Sequence, residues 1–339
     1  KLTFIFSCVW NRMFLLMNSL FKLLRNWTLP ISMLAGVLGY FLISSLPLSH
    51  DESKLTFFII SHYIQPVLLF LMLFLSFTKV TPHEMHPQRW HGIVLLCQAL
   101  GFVVFSVLAM SMNSIENRIL CEGAMLCFIC PTATASSVIT GRLGGSVSDV
   151  TTYLLICNLM VALIAPPFLT MVEPHEGLSR LTSFFMIMGK IFPLLISPLI
   201  CAWIVRFLLP KLHDRIRAIT GLAFYLWAVG LALAILVTVR SIVESAIGMT
   251  YLVGLGIISL VACVLQFAIG KFVGSHYDKG TGQHINRITA GQAFGQKNTV
   301  FIIWLGLVFL DPVTSVVGGL YSVWHNIINS YQLYKVRKL

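Results

Sequence analysis

Charge is scarce in this sequence: Asp, Glu, Lys and Arg make up only 10% of its 339 residues, against roughly 25% in a soluble domain. Acidic residues are scarcer still, 12 against 23 basic ones. A water-exposed surface cannot be built from so little charge, so a soluble enzymatic domain is excluded. There is no G-x-x-x-x-G-K-[ST] segment, so an ATP-driven pump would need a separate nucleotide-binding partner. There is no H-E-x-x-H helix or acidic pair within the apolar runs that would suit an intramembrane enzyme. The eight cysteines (Cys8, Cys97, Cys121, Cys127, Cys130, Cys157, Cys201 and Cys263) show neither zinc-ligand spacing nor an extracellular pairing pattern. They read as buried thiols. The opening KLTFIFSCVWNRM lacks an A-x-A-like cleavage site, and Met13 offers an internal start. Residues 1–12 are therefore set aside from functional reasoning.

What remains is apolar: 57% of residues are hydrophobic and the mean hydropathy is +0.88. Uncharged runs cover 26–49, 55–78, 92–115, 218–239, 245–270 and 312–334, each meeting the roughly 20 residues a helix needs to cross hydrocarbon. Four further runs, about 117–141, 150–172, 181–208 and 284–309, are interrupted by isolated polar residues. Lipid tolerates no unpaired backbone group, so these runs predict helices. The expected class is an all-α membrane protein of ten transmembrane helices.

An even number of spans puts both ends on one side. Lys and Arg then divide as 17 on the terminus side and 4 opposite (Lys54, Arg118, Arg180 and Arg240), with Lys190 and Lys297 inside spans. The bias predicts that both termini are cytoplasmic in a bacterial-type inner membrane. The net charge of +11 is thereby explained by topology, without a nucleic-acid partner. The expected organisation is an N-terminal segment 1–26, one membrane domain over 27–334 and a tail at 335–339.

The third span carries Gln98 in LLCQALGF and the eighth carries Gln266 in ACVLQFAIG. Each precedes a span that is polar and interrupted near its middle: CPTATASSVITG in the fourth, AFGQKNTVFIIWLG in the ninth. Five spans separate the pairs, an odd number, so the halves (about 27–172 and 181–334) would be inverted repeats of the kind found in secondary transporters.

In the fourth span Pro131 removes a backbone donor, and Thr132, Thr134, Ser136, Ser137 and Thr140 stand where lipid-facing Leu is usual. A helix break is expected there, offering its ends to ions. As packing glue alone, such hydroxyls are common at membrane helix interfaces. The ninth span carries Gly291, Gln292, Gly295, Gln296, Lys297, Asn298 and Thr299, and thirteen residues without charge separate Lys297 from Asp311. An ammonium at that depth is a functional candidate by default. The bland reading pairs Lys297 with Glu122 as an ion pair or proton-coupling partner. Lys190, beside Gly189 and before Pro193, lines a cavity or snorkels. His62 and Gln65 are expected to be satisfied interior groups, and His83, His86 and His91 lack a coherent metal geometry. Gly144, Gly145 and Asp149 predict a tight turn with a helix cap.

Together the CPTATASSV segment, the Gln98 span and the FGQKNT segment resemble the bile acid:sodium symporter family over nearly the whole chain. The resemblance implies two inverted five-helix repeats, a panel and a core domain, and broken fourth and ninth helices crossing in the core. In that family the fourth-helix motif usually reads C-P-G-G-T-A-S-N and its Ser-Asn end helps bind sodium; here Ser136 is kept and Ser137 replaces Asn. The ninth-helix motif usually reads E-x-G-x-Q-N, in which Glu and Gln coordinate sodium; Ala293 and Lys297 occupy those places. Fifth-span hydroxyl ligands fall on Val150 and Leu154, with Thr151 and Thr152 adjacent, while Gln98 matches the family's third-span glutamine. A hard cation needs oxygen ligands and negative charge, so the substitutions argue against a sodium site.

These readings predict a monomeric secondary transporter of an organic anion, with no cofactor and no confident metal site. Lys297 would take sodium's place, making transport sodium-independent or proton-coupled. Candidate site residues are Gln98, Thr132, Thr134, Ser136, Ser137, Gln296, Lys297, Asn298 and Thr299, with Glu122 as charge partner and Lys190 and Gln266 as weaker candidates. The alternatives are a conventional sodium symporter of the same family and a non-transporting membrane sensor or scaffold. A Ser136–Lys297 nucleophile–base dyad is the one conceivable catalytic couple, and it would need the two side chains in hydrogen-bond reach.

Overall fold

In a computed structural model, residues 27–338 are described except Leu48, Thr81, Pro82, Glu84, His175, Glu176, Thr220, Ala246, Thr281 and Gln283. The expected N-terminal segment and Cys8 therefore lie outside the described residues. Among the described residues there is no strand, only helices: α1 Thr28–Ser45, α2 His50–Phe77, α3 Arg89–Ser111, α4 Ile115–Ile129, α5 Ser136–Arg142, α6 Val147–Val172 and α7 Arg180–Leu208. They continue as α8 Pro210–Ala218, α9 Leu222–Glu244, α10 Met249–Tyr277, α11 Ile285–Gly295, α12 Thr299–Phe309 and α13 Val316–Lys338. Seven of them (α1, α2, α3, α6, α7, α9 and α10) are long and apolar enough to cross a membrane. This is a multi-pass helical membrane protein.

Local chemistry sets the helix ends. The Ser49 hydroxyl accepts from the Glu52 N–H and the Glu52 carboxylate accepts from the Ser49 N–H, a reciprocal cap. That cap starts α2 at His50, five residues ahead of the uncharged run read from the sequence, so Asp51, Glu52 and Lys54 belong to the helix. Ser114, Ser146 and Ser179 cap α4, α6 and α7 one-sidedly, each hydroxyl accepting from the N–H three residues on. Gly144 has φ +85° and turns the chain between α5 and α6, as expected, but the cap is Ser146, with Asp149 supplying the N–H. Pro66 lacks a donor, and its ring would press on the preceding turn. A π-turn at Ile60–Ile64 absorbs this, so α2 runs on without a break.

Two departures concern segments of low hydropathy. Helix α8 is short, with Lys211, Arg215 and Arg217 on it, and has no apolar run to announce it. Helix α13 continues to Lys338, through the boundary expected at 334, because nothing in YQLYKVRK breaks a helix.

Burial sorts the helices. In α12, Val300, Phe301, Ile302, Ile303 and Leu305 are fully buried. By contrast, α1 presents Leu34, Leu38, Phe41 and Leu42, each more than half exposed. Exposed apolar surface on that scale is unusual for a protein in water and is what hydrocarbon requires. The interrupted helices α4–α5 and α11–α12 thus sit inside, where non-helical backbone is tolerated at membrane depth.

Candidate site at the helix crossing

Both polar spans break. Helix α4 ends at Ile129 and α5 begins at Ser136; α11 ends at Gly295 and α12 begins at Thr299. The two interruptions lie against each other as an antiparallel bridge between Thr132 and Lys297. The Asn298 N–H donates to the Pro131 carbonyl and the Ala133 N–H to the Gln296 carbonyl, each over 2.9 Å. The Thr132 hydroxyl donates to the Ala293 carbonyl (2.5 Å), and the Cys130 thiol to the Asn298 carbonyl (3.1 Å). Asn298 Oδ1 also accepts from the Phe301 N–H (3.3 Å), capping α12. Each break therefore supplies the backbone partners that the other lost.

The remaining carbonyls are met from neighbouring helices. Gln98 Nε2 donates to the Cys130 carbonyl (3.1 Å), while its Oε1 accepts from the Tyr153 hydroxyl (3.0 Å). The Tyr321 hydroxyl donates to the Gly295 carbonyl (2.9 Å) and lies 3.5 Å from Gln266 Oε1. Gln266 Nε2 reaches the Cys127 carbonyl (3.0 Å). Gln98 and Gln266 thus serve as donors to broken-helix carbonyls, and all four side chains are fully buried. Gln98→Leu would strand a carbonyl and the Tyr153 hydroxyl, for which the expected cost is about 1–3 kcal/mol. Thermal unfolding in detergent reads it; wild-type stability would mean the carbonyl is served by another donor.

A constant spacing links these contacts. Tyr153 follows Gln98, and Tyr321 follows Gln266, by the same 55 residues. Asn158 Nδ2 donates to the Leu154 carbonyl and Asn326 Nδ2 to the Ser322 carbonyl, each four residues back. All three pairs, Gln98/Gln266, Tyr153/Tyr321 and Asn158/Asn326, share one offset of 168 residues, the separation also found between Cys130 and Asn298. The tyrosines and asparagines escaped the sequence reading, although this constant offset was the signal that could have found them.

Lys297 is 1% exposed and its ammonium has no hydrogen-bond partner among the described residues. It stands 4.8 Å from the centre of the Phe294 ring, and the thiols of Cys157, Cys130, Cys127 and Cys263 are its electrostatic neighbours. Both α4 and α11 end at the crossing that holds Lys297, and the carbonyl end of a helix presents negative charge. On the segments that flank the two breaks, Ser136 Oγ, Thr140 Oγ1, Thr299 Oγ1 and Gln296 Oε1 are also buried without a partner among the described residues. Ser136 and Lys297, both without partners, are not bonded to each other, so the dyad geometry is not formed.

Glu122 does not meet Lys297, contrary to the pairing expected. Its Oε1 lies 3.3 Å from Arg118 Nε, one turn earlier, and its Oε2 accepts from the Thr314 hydroxyl (3.0 Å). Arg118 also reaches Glu173 at 2.9 Å. The reason is geometric: Glu122 is the middle residue of α4, whereas Lys297 is bridged to Thr132 beyond that helix's end. Thr134 and Ser137 pair locally, hydroxyl to carbonyl over 3.0 Å, at the edge of the break. Val150 and Leu154 are buried, and the Thr151 and Thr152 hydroxyls both donate to carbonyls of their own helix. Of the fifth-span positions singled out, none therefore offers a hydroxyl bonded across to the break; Tyr153 reaches it only through Gln98.

Lys190 is placed away from the crossing. It lines a cavity of about 380 Å³ with His62, Pro66, Phe70 and Trp304, its ammonium 5.6 Å from the Phe309 ring centre. Gln65 is the correction here: both its amide atoms are buried without partners, so it is not the satisfied interior group expected. His62 is satisfied, 2.9 Å from the Ser61 hydroxyl. A second cavity of about 550 Å³ lies on the other side of α12, lined by Lys54, Ser61, Arg240, Leu307 and Asp311. Among the described residues no group of three His, Cys, Asp or Glu side chains is placed to hold a metal.

Against known families and curated proteins, the chain matches no family and no curated sequence.

Proposed function

We propose that this chain is a secondary transporter that moves an organic anion by alternating access. The observation that carries the reading is the antiparallel crossing of two interrupted helices around a buried, unpartnered ammonium. An isolated buried charge costs several kcal/mol and persists where function needs it. A carboxylate or sulfate moving past the crossing is the partner such a group lacks.

The constant 168-residue offset supports two five-span halves, α1–α6 and α7–α13. An odd number of spans per half inverts the second relative to the first, the architecture in which one bundle rocks against the other around a central site. On this reading both termini are cytoplasmic in a bacterial-type inner membrane, and two cavities border α12. Lys190 and His62 line the first of them, which makes it the cationic one; in the second, Lys54 and Arg240 are balanced by Glu244 and Asp311. The Lys297 ammonium stands where the resembled family places a sodium ligand and takes over sodium's charge, so a proton on Lys297 replaces sodium in the cycle.

The test is thermal stabilisation of the purified protein by a panel of anions (a conjugated bile acid, a sulfated steroid, a small carboxylate), with sodium present or replaced by choline. A ligand that binds only the native state raises its apparent stability. Stabilisation indifferent to sodium and followed by uptake into proteoliposomes is expected. A strict sodium requirement would return the chain to the conventional symporters, and no response to any anion would leave a sensor or scaffold.

A further inference from the structure

Helix α13 carries a stripe of polar side chains through the protein interior. Tyr321, His325, Asn329 and Gln332 recur at intervals of three and four residues, one face of a helix, and span roughly 16 Å of rise. The Tyr321 and His325 rings are in edge contact, 5.8 Å between centres. Asn329 Oδ1 and Gln332 Oε1 approach Gln292 Nε2 of α11 at 3.0 and 3.5 Å. Tyr321, His325, Asn329 and Gln292 are all more than nine-tenths buried.

The stripe leaves bonds unmade. Among the described residues, Ser322 Oγ, His325 Nδ1, Asn329 Nδ2, Gln332 Nε2 and Gln292 Oε1 are buried without partners, as are Gln296 Oε1 and Lys297 Nζ at its inner end. Buried polar atoms in native proteins are overwhelmingly satisfied, by water where protein does not serve. A row of adjacent orphan atoms is a row of water sites.

The molecule contains its own control. Shifted back by 168 residues, Tyr321, Ser322, His325, Asn329, Gln332 and Gln292 become Tyr153, Leu154, Cys157, Val161, Ile164 and Ala124. Only the tyrosine remains polar, so the equivalent face of α6 is dry. Fold alone therefore does not call for the stripe, and one half has acquired it.

We infer that a file of water follows this stripe from Lys297 to the membrane face that carries Lys335, hydrating the ammonium from that side alone. The charged groups at its mouth are Lys271 of α10, Arg287 of α11 and Lys335 of α13, which interact with one another. Asp278 accepts from the Asn286 and Arg287 N–H groups beside them. At the inner end stand Lys297 and the thiols of Cys127, Cys130, Cys157 and Cys263. Naming that face cytoplasmic rests on the topology proposed above; the file itself does not.

Radiolytic hydroxyl-radical labelling of the full-length protein in detergent, mixed briefly with ¹⁸O water, detects water held beside a buried side chain. His325 and Tyr321 are expected to oxidise and take up ¹⁸O at least tenfold faster than Cys157 and Tyr153, although a thiol is the more reactive target. Asn329→Leu combined with Gln332→Leu should slow uptake at His325 by a similar factor. No labelling at His325, equal labelling of the two halves, or uptake unchanged by the paired substitution would each overturn the inference. If the paired variant does not fold, the comparison of the two halves in the wild-type protein decides alone. Because the labels read water rather than transport, the outcome is independent of whether any anion binds.

Discussion

Replacing Lys297 with Gln is expected to weaken binding of a carboxylate or sulfate ligand by ten- to a hundredfold. A hydrogen bond to a charged group is worth about 1.5–3 kcal/mol, and each 1.4 kcal/mol is a factor of ten. The same substitution is expected to stabilise the empty protein, because Lys297 is 1% exposed and its ammonium meets no acceptor. Removing a buried unpaired charge relieves a desolvation penalty that removal of a paired one would not. Lys297→Met, closer in shape and without polarity, should stabilise further.

Opposite movement of stability and affinity separates a functional lysine from a structural one. Isothermal titration with an anion that stabilises the wild-type protein gives the affinity, and unfolding of the empty variants gives the stability. If both fall together, Lys297 is holding the crossing closed, and its role as a ligand group is lost. Any dependence of anion binding on pH should also vanish in Lys297→Gln while surviving in Lys190→Gln, since Lys190 lies in the side cavity rather than at the crossing.

The second large effect is on packing. Gly270 and Gly274 of α10 let the backbone of α11 come so close that a Cβ at either position would run into main-chain atoms, Ala290 and Gly291 at one, Asn286 and Arg287 at the other. Gly295, at the end of α11, meets the Phe267 ring in the same way. Main chain cannot swing aside as the end of a side chain can. Gly270→Ala is therefore expected to cost about 1–3 kcal/mol, the usual penalty of overpacking, and Gly270→Leu more, with α11 displaced and the bridge to Thr132 lost. The comparison is Gly189→Ala, where an added Cβ meets nothing within 4 Å. Thermal unfolding of the three variants tests this; equal stability of Gly270→Ala and Gly189→Ala would mean that α10 and α11 are free to separate.

The sequence revealed more of the scaffold than of the site. Hydropathy located the seven long helices because each must offer apolar surface to lipid over its length, even where an isolated polar residue interrupts the run, as in α6 and α7. It also located both interruptions, since Pro131 and the cluster from Gly291 to Thr299 cannot form a plain lipid-facing helix. It did not locate α8, whose residues lie where nothing forbids a polar helix. Glu122, a carboxylate about one turn into the expected fourth span, was the obvious partner for Lys297 on the bland reading, but Arg118 stands one helical turn away and takes it. Gln65 looked satisfied because nothing in a sequence shows that an amide's surroundings are apolar. The tyrosines that bond the central glutamines stood at a constant offset, yet an offset becomes meaningful only when two glutamines are already known to share a role.

Composition and the spacing of charges were enough by themselves to decide that this chain lives in a membrane, that it is helical, and that two of its helices break. Those conclusions follow from the solvent: hydrocarbon punishes every unpaired polar group, so a legible pattern is forced on the chain residue by residue. Tertiary structure alone decided that the two breaks mend each other across 168 residues, that Glu122 turns to Arg118, and that Lys297 is left without a partner. Those outcomes depend on which groups come within about 3 Å of one another after packing, a quantity that no local pattern carries.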